Sequence, residues 1–527
     1  MKPRYTTFFS LLALFLLGAC SKDLGNYNYT DVNKVTIEGV EKEYTAKVAS
    51  QFVVQPTLLA TLNPISAEPA DTSSYSYEWA CYLSNTKNII GKSKNLDYTV
   101  NLLPGNYPVV YTITDRNTGI AFIQKFNLRV ENDISSGWLV LSDVDQASRL
   151  DMVNFVNMQP TVHIDVLKKT GSELKLKGKP RGVYFFSYQS NATNAIYIFT
   201  SEQSTRLFNQ TLRWQTIYDL SYQISSEMVN NGIGDYLYPE SNTTSYLVTD
   251  KELQYNVLLG SNLRAYGTHV NYYADGTGKL VKFNVSPYVA NFNVSSGPYA
   301  IVYDTEARQF LRHVNLASQC VTMPAPTGLP SVDAGAGVEF DPQNVGKDLV
   351  YMTATSVGID KRYCTAVMKD PANGKYSLIR FELSNTGTPL ITQAYNKEFS
   401  VDANIAQAEK FAVHPATGRL FYSVGSKLYM FDLASSQSKL VLDKGTSKIS
   451  MIKFNNFENE STTSNGTTVF RQFFGKLLVA SYDPAKSSES NGTLETYQVP
   501  DLFSGDLVQE QSYSGFGKIV SVTYKER

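Results

Sequence analysis

The chain has 527 residues, 47 Lys+Arg against 48 Asp+Glu for a formal net charge of -1, and only 18% charged residues. A balance so close to zero offers no long-range field to recruit nucleic acid, and no local basic cluster replaces one, so no nucleic-acid partner is expected. Tyr (35) and Phe (27) are abundant and long helical periods are missing, which argues against an α-rich fold and for strands and turns. At about 150 residues per domain the length fits two to four domains or one large repetitive one, and the composition favours repeats.

The N-terminus carries Lys2 and Arg4, then an apolar run from Phe8 to Leu17. Ten or so apolar residues fall short of the roughly 20 needed to span a hydrocarbon core, and nothing later in the chain is long enough either. Small residues then precede a cysteine in Leu17-Gly18-Ala19-Cys20. The segment resembles a bacterial lipoprotein signal over residues 1–19. The resemblance implies cleavage before Cys20, with acyl chains on its thiol and new amino group. Acyl chains bury methylenes at about 0.8 kcal/mol each, so several of them anchor a protein without a spanning helix. An uncleaved anchor, or an ordinary signal in which Cys20 is incidental, is the alternative.

Residues 20–31 are polar, turn-rich and without a period, and read as a tether. Asp23 is the one acid close to Cys20. In the Bacteroidetes lipoproteins this stretch resembles, an acidic element there directs export to the outer face of the outer membrane; an ordinary solvated linker fits equally well. The remaining cysteines, Cys81, Cys320 and Cys364, are odd in number and lack C-x-x-C spacing, so buried free thiols are expected, with a Cys320 to Cys364 bridge left open.

From 32 to 132 the chain reads as short strands. Tyr77, Trp79, Cys81 and Leu83 share one face at period two, with Trp79 as the core plug. A turn at Leu103-Pro104-Gly105-Asn106-Tyr107 leads into a strand to Ile113, and Thr114 to Gly119 turns into a second from Ile120 to Val130. Through its Tyr-x-Trp, its Pro-Gly-x-Tyr and its Thr-Asp followed by Gly119, this region resembles the PKD-like family, an Ig-like β-sandwich. That implies a fold and no activity.

Residues 133–527 repeat a strand-turn grammar, clearest from Glu409 to Leu442, where four short strands make one propeller blade. Paired strands recur at 138–142 with 149–155, 195–200 with 205–209, 245–249 with 253–258, 299–303 with 309–314, 349–353 with 377–383, 419–424 with 427–433, and 476–481 with 493–499. About seven blades follow, with inner strands expected at 182–186, 337–340, 411–414 and 450–454. The last strand, 517–524, is expected to join the first blade and close the ring. Six or eight blades also fit the length, and a solenoid is a further alternative. The fold class is thus all-β: a PKD-like sandwich followed by a β-propeller.

The order of lipid signal, Lys-Asp-Leu-Gly-Asn-Tyr stalk, sandwich, and Ser-Gly-Trp-Leu-Val-Leu-Ser opening the second unit resembles the PKD-like lipoproteins of Bacteroidetes. The resemblance implies a SusC-like TonB-dependent transporter and a SusD-like lipoprotein as partners, and nutrient capture at the cell surface.

Chemistry is sparse. The four histidines, His163, His269, His313 and His414, show no zinc spacing, and neither a G-x-S-x-G elbow nor a phosphate loop occurs. Acids near strand ends, namely Asp143, Asp145, Asp235, Asp304, Glu339 and Asp341, could converge as in propeller glycosidases, although turn roles are the ordinary use of such residues. Asp143-Val144-Asp145 and Asp275-Gly276-Thr277-Gly278 are oxygen-rich turns, so calcium is possible while no cofactor is required. Aromatic and amide loops suit an oligopeptide or glycan ligand, and Tyr236, Tyr238, Tyr266, Tyr272 and Tyr273 are the expected contacts. The leading expectation is a binding protein without catalysis. A propeller glycan hydrolase or lyase, or an adhesion scaffold, are the alternatives.

Overall fold

The computed structural model describes residues 31–525 except 49, 69–71, 84–85, 132–133, 135, 157–158, 187–194, 226–228, 240–243, 258–264, 268, 295–296, 315–316, 325–336, 358–360, 385–389, 401–403 and 455–474. Cys20 and its tether lie outside these. The chain divides into two compact units, the first built from residues up to Ala46 with Gln51–Val100 and Asn106–Arg129, the second chiefly from Val130 onward. Among the described residues, no helix is long and apolar enough to cross a membrane.

The first unit holds a five-stranded sheet in the order Glu43–Lys47, Ala121–Glu131, Gly105–Asp115, Tyr75–Leu83, Thr86–Gly91. Two small ladders accompany it, Val35–Glu38 with Thr57–Ala60 and Gln51–Val54 with Leu96–Thr99. Tyr75, Tyr77, Trp79 and Cys81 are buried as the period-two pattern requires. Trp79 stacks on Tyr111 at 3.8 Å, and its indole N–H donates to the Ser93 carbonyl at 2.9 Å, so the polar edge of the plug is satisfied as well as its faces. Asp115, fully buried, anchors the turn before Gly119 by accepting from the Asn33 and Asn63 amides at 2.8 Å each. The Asn33 hydrogen bond holds its carboxyl below the ordinary range.

The second unit contains seven antiparallel sheets that share one plan. From the inside outward, blade 1 is Lys518–Lys525, Gly137–Val144, Ala147–Val156 and Gln159–His163. Blade 2 is Pro180–Phe186, Ala195–Thr200 and Ser204–Phe208; blade 3 is Tyr236–Pro239, Thr244–Thr249 and Glu252–Val257. Blade 4 is Ala290–Val294, Gly297–Asp304, Gln309–Val314 and Val321–Thr322; blade 5 is Asp348–Val357, Lys361–Lys369, Tyr376–Ser384 and Ile391–Glu398. Blade 6 is Lys410–Val413, Leu420–Val424, Lys427–Asp432 and Gln437–Asp443; blade 7 is Lys448–Phe454, Leu477–Tyr482, Gly492–Gln498 and Val508–Phe516.

Each neighbouring pair of blades shares one hydrophobic cluster, and the clusters run round the whole circle. The second strand of blade 1 shows how. Leu139 and Leu141 enter the cluster with Val183, Ile196 and Ile198 of blade 2, while Trp138 and Val140 enter the one with Leu478, Ala480 and Leu494 of blade 7. Because both faces of a middle strand are covered, it reads as an unbroken apolar run instead of an alternation. Ring closure is made by Lys518–Lys525, which pairs antiparallel with Gly137–Val144, Val522 opposite Val140 and Tyr524 opposite Trp138. The terminal strand therefore removes the free edge of blade 1, as the sequence suggests.

Blade 5 departs from expectation. The segment 349–353 is its inner strand, and its direct partner is Lys361–Lys369, not 377–383. Segment 337–340 is not an inner strand but lies along the outer edge, where the Phe340 N–H donates to Gln393 Oε1 at 3.1 Å and the Asn396 side chain donates to the Val338 carbonyl at 3.1 Å. Cys81, Cys320 and Cys364 are all free and buried.

Candidate ligand-binding site

The seven inner strands meet side by side around the axis of the second unit. Lys518–Lys525 touches both Pro180–Phe186 and Lys448–Phe454, and the series continues through Lys410–Val413, Asp348–Val357 and Ala290–Val294. Blade 3 joins blade 4 through the Asn291 side chain, which donates to the Pro239 carbonyl at 3.0 Å, and through the Tyr238 hydroxyl, which donates to the Pro287 carbonyl. On the blade 1 side, inner-edge N–H groups of blade 2 are covered by hydroxyls: Val183 donates to Ser521 Oγ at 3.1 Å and Phe185 to Thr523 Oγ1 at 3.3 Å. An otherwise bare sheet edge is thereby satisfied.

Blades 2 to 6 each supply an aromatic residue to this inner ring. They are Tyr184, the pair Tyr236 and Tyr238, Tyr288 just ahead of its strand, Tyr351, and Phe411. Tyr288 meets Tyr351 edge-on at 5.4 Å, and Tyr351 stacks on Phe411 at 5.4 Å with the planes 21° apart. Burial pushes the Tyr238 hydroxyl well above its ordinary range, and Tyr184, Tyr288, Tyr236 and Tyr351 add to the shift. Tyr184, Tyr288 and Tyr351 are raised too, with burial as the leading cause. All four hydroxyls stay protonated, and Tyr184, Tyr238, Tyr288, Tyr351 and Phe411 are half-buried, each packed on one side against the cluster between its blades, so the ring is an aromatic, uncharged rim. Gly182 makes room for Tyr184, since a Cβ there would stand 2.3 Å from the Tyr184 hydroxyl.

Blade 7 contributes a cation. Lys453, exposed to water, donates from Nζ to the Val522 carbonyl at 3.0 Å. Burial among the surrounding strands lowers it to about 8.

Of the expected contacts, Tyr236 and Tyr238 stand in the ring. Tyr266 does not: it is 1% exposed, packs in the cluster between blades 2 and 3, and shares a 2.8 Å hydrogen bond with Ser245 Oγ. Tyr272 and Tyr273 lie on a separate hairpin, Tyr272–Ala274 with Leu280–Lys282. There Lys282 sits over the Tyr272 ring at 5.9 Å and Tyr273 packs on Phe283 at 6.1 Å.

The acids do not gather at the ring. The seven described inner strands carry a single carboxylate, Asp348, and it pairs with Arg308 at 2.9 Å. Asp235 is held by Arg181 at 2.6 Å and by the Asp250 N–H at 2.7 Å. Asp143, Asp304 and Asp341 accept from N–H groups of their own turns, and Glu339 is exposed. Asp275 Oδ1 takes Thr277 N, Thr277 Oγ1 and Lys279 N at 2.9, 2.6 and 3.0 Å, so both oxygen-rich turns spend acceptors on themselves. Among the described residues no three of His, Cys, Asp and Glu assemble as a metal-ligand set. The histidines have local partners: Asn154 for His163, Glu252 at 3.7 Å for His269, Tyr246 and Ala317 for His313, and Thr417 for His414.

Comparison with known proteins bears on the first part of the chain most directly. Residues 20–180 match the PKD-like family. No curated protein matches the sequence. Among solved structures, a quinonprotein alcohol dehydrogenase-like protein from Bacteroides thetaiotaomicron aligns over 92% of this chain and 94% of its own, at 10% identity and a TM-score of 0.38. The extracellular domain of a one-component system from the same organism aligns over 84% of this chain and 54% of its own, at 9% identity and 0.35. Lignostilbene dioxygenase from Pseudomonas brassicacearum aligns over 75% and 92%, at 10% and 0.36. The propeller assignment stands on the sheet topology, not on these likenesses.

Proposed function

We propose that this chain is a non-catalytic binding protein, lipid-anchored through Cys20 on the outer face of an outer membrane, where it serves a SusC-like TonB-dependent transporter and its SusD-like partner by holding an oligopeptide or glycan at the inner ring. The observation that supports binding is the run of aromatic side chains on consecutive blades, Tyr184 through Phe411, on strands that carry one carboxylate already paired with Arg308. Flat faces edged with neutral hydroxyls suit sugar rings and peptide planes. Hydrolysis of a glycan needs two carboxyl groups about 5–10 Å apart, which these strands do not furnish. Anchoring and partners rest on the N-terminal sequence and its family resemblance.

The test is titration calorimetry of the full-length chain in mild detergent against panels of oligosaccharides and oligopeptides, alongside Tyr351→Ala. Micromolar binding weakened about tenfold or more by the substitution, equivalent to about 1.4 kcal/mol, supports the ring as the site. Binding unaffected by Tyr351→Ala, or turnover of any bound glycan, overturns it. Co-purification of a TonB-dependent barrel from native membranes tests the partnership separately.

A further inference from the structure

We propose that the inner ring takes an acidic oligosaccharide, with Lys453 pairing to a sugar carboxylate while the aromatic residues stack on neighbouring rings; this rests on the ring being the binding site. Lys453 stands on the inner strand of blade 7, beside the inner strand of blade 1 to which its Nζ donates. Val522, the acceptor, is flanked by Ser521 and Thr523, whose hydroxyls meet Val183 and Phe185 on either side of Tyr184. The ammonium and the first aromatic of the ring thus stand level with Val522 on the two inner strands that flank Lys518–Lys525.

Among the described residues the ammonium has no countercharge. Its hydrogen-bond acceptor is a carbonyl, and among the described residues no carboxylate pairs with it. A cation whose one side-chain hydrogen bond among the described residues goes to a carbonyl gains a charge-assisted partner from an incoming carboxylate, and the exposure of the side chain leaves it open to one. The charges of the ring also choose between ligand classes. A peptide brings an ammonium as well as a carboxylate, and the one acid of the described inner strands, Asp348, is engaged by Arg308. A uronic acid brings the anion alone, with hydroxyls and C–H faces for the tyrosines.

The experiment is calorimetric titration of the full-length chain with a galacturonic acid trimer, its methyl-ester counterpart and a tripeptide, at low and high salt. The chains compared are the unaltered one, Lys453→Met, Lys453→Arg and Tyr351→Ala. The expected result is about tenfold tighter binding of the acid than of the ester, reduced by salt, abolished by Lys453→Met and largely kept by Lys453→Arg. Binding of the ester is expected to survive Lys453→Met, which separates loss of the ion pair from loss of the fold. Equal binding of acid and ester, or a preference that persists in Lys453→Met, overturns the role of Lys453 and leaves the ring standing. Lys453-dependent binding of the tripeptide in place of the sugar overturns the ligand class. Failure of every probe, or indifference to Tyr351→Ala, removes the ring as the site and this inference with it.

Discussion

Removing the terminal strand is the sharpest test of the ring. Lys518–Lys525 buries Ile519, Val522 and Tyr524 at 0%, 1% and 4% exposure. These belong to the cluster that joins blade 7 to blade 1, where Tyr524 meets Trp138 edge-on at 4.9 Å. At about 1.5–3 kcal/mol for each large apolar side chain fully buried, the three together hold about 5–9 kcal/mol. The backbone edges left behind face water and rehydrate, so their loss adds only about 0.5–1.5 kcal/mol per hydrogen bond. The apolar part alone rivals the about 5–15 kcal/mol by which a domain is stable, so a chain ending at Gly517 is expected to lose its cooperative transition. Circular dichroism melts and gel filtration read the outcome. A synthetic peptide spanning Lys518–Lys525, added in trans, should restore both the transition and the monodisperse peak. A truncated chain that melts cooperatively within about 2 °C of the intact one would refute closure by this strand, since a shift that small in a domain of this size reports only about 1–2 kcal/mol, far below the about 5–9 kcal/mol at stake.

Other perturbations probe separate parts of the argument. Trp79→Ala removes the plug stacked on Tyr111 and should destabilise the first unit by about 3–5 kcal/mol, read as a lowered urea midpoint of its own tryptophan-free far-ultraviolet transition. Arg419, 8% exposed, reaches Asp432 at 3.2 Å and the Pro500 and Asp501 carbonyls at 2.8 and 2.7 Å, tying blade 6 to the turn before the last strand of blade 7. Arg419→Met should cost about 3–5 kcal/mol, with Arg419→Met/Asp432→Leu less harmful than the single change because no charge is then stranded. His414, packed on Phe454, is lowered to about 4 by burial. A histidine kept neutral in the fold stabilises nothing extra above its unfolded value of about 6.5, and it opposes folding increasingly as pH falls from there toward 4. His414→Gln should therefore flatten the loss of stability between pH 6.5 and 4, a loss of up to about 3 kcal/mol in the parent chain by thermal or urea melts.

The sandwich strands and six of the seven blade centres were legible because their hairpins alternate or are punctuated by Gly, Asn and Asp turns. Blade 5 was not. In Lys361–Lys369 the run Cys364, Thr365, Ala366, Val367 and Met368 is buried on both faces, so the period of two that marks a half-exposed strand is erased, and Cys and Thr in it do not look like core. The segment Gly337 to Phe340 resembles an inner strand by composition, yet it runs along the outer edge of blade 5. At Gly337 φ is +117° and a Cβ would lie 1.8 Å from the Asn396 carbonyl, so only glycine fits against that edge.

The ring shows why a propeller site hides from a reader of sequence. Tyr236 and Tyr238 could be suspected because they stand together, but Tyr184, Tyr288, Tyr351 and Phe411 are separated by whole blades and become neighbours only when each inner strand is placed at the same radius. The informative signal is the identity of the residue at equivalent depth on each inner strand, and that depth depends on the register of every blade before it. Tyr266 illustrates the converse. It sits in an aromatic, amide-rich stretch that looks like a binding loop, while its hydroxyl is bonded to Ser245 and its ring fills a space between blades. Abundance of tyrosine in a loop therefore says less than its position relative to the axis. Lys453 follows the same logic: in sequence it is one lysine in an apolar strand, and its place on the ring becomes visible only through the Val522 carbonyl that it reaches on the closing strand.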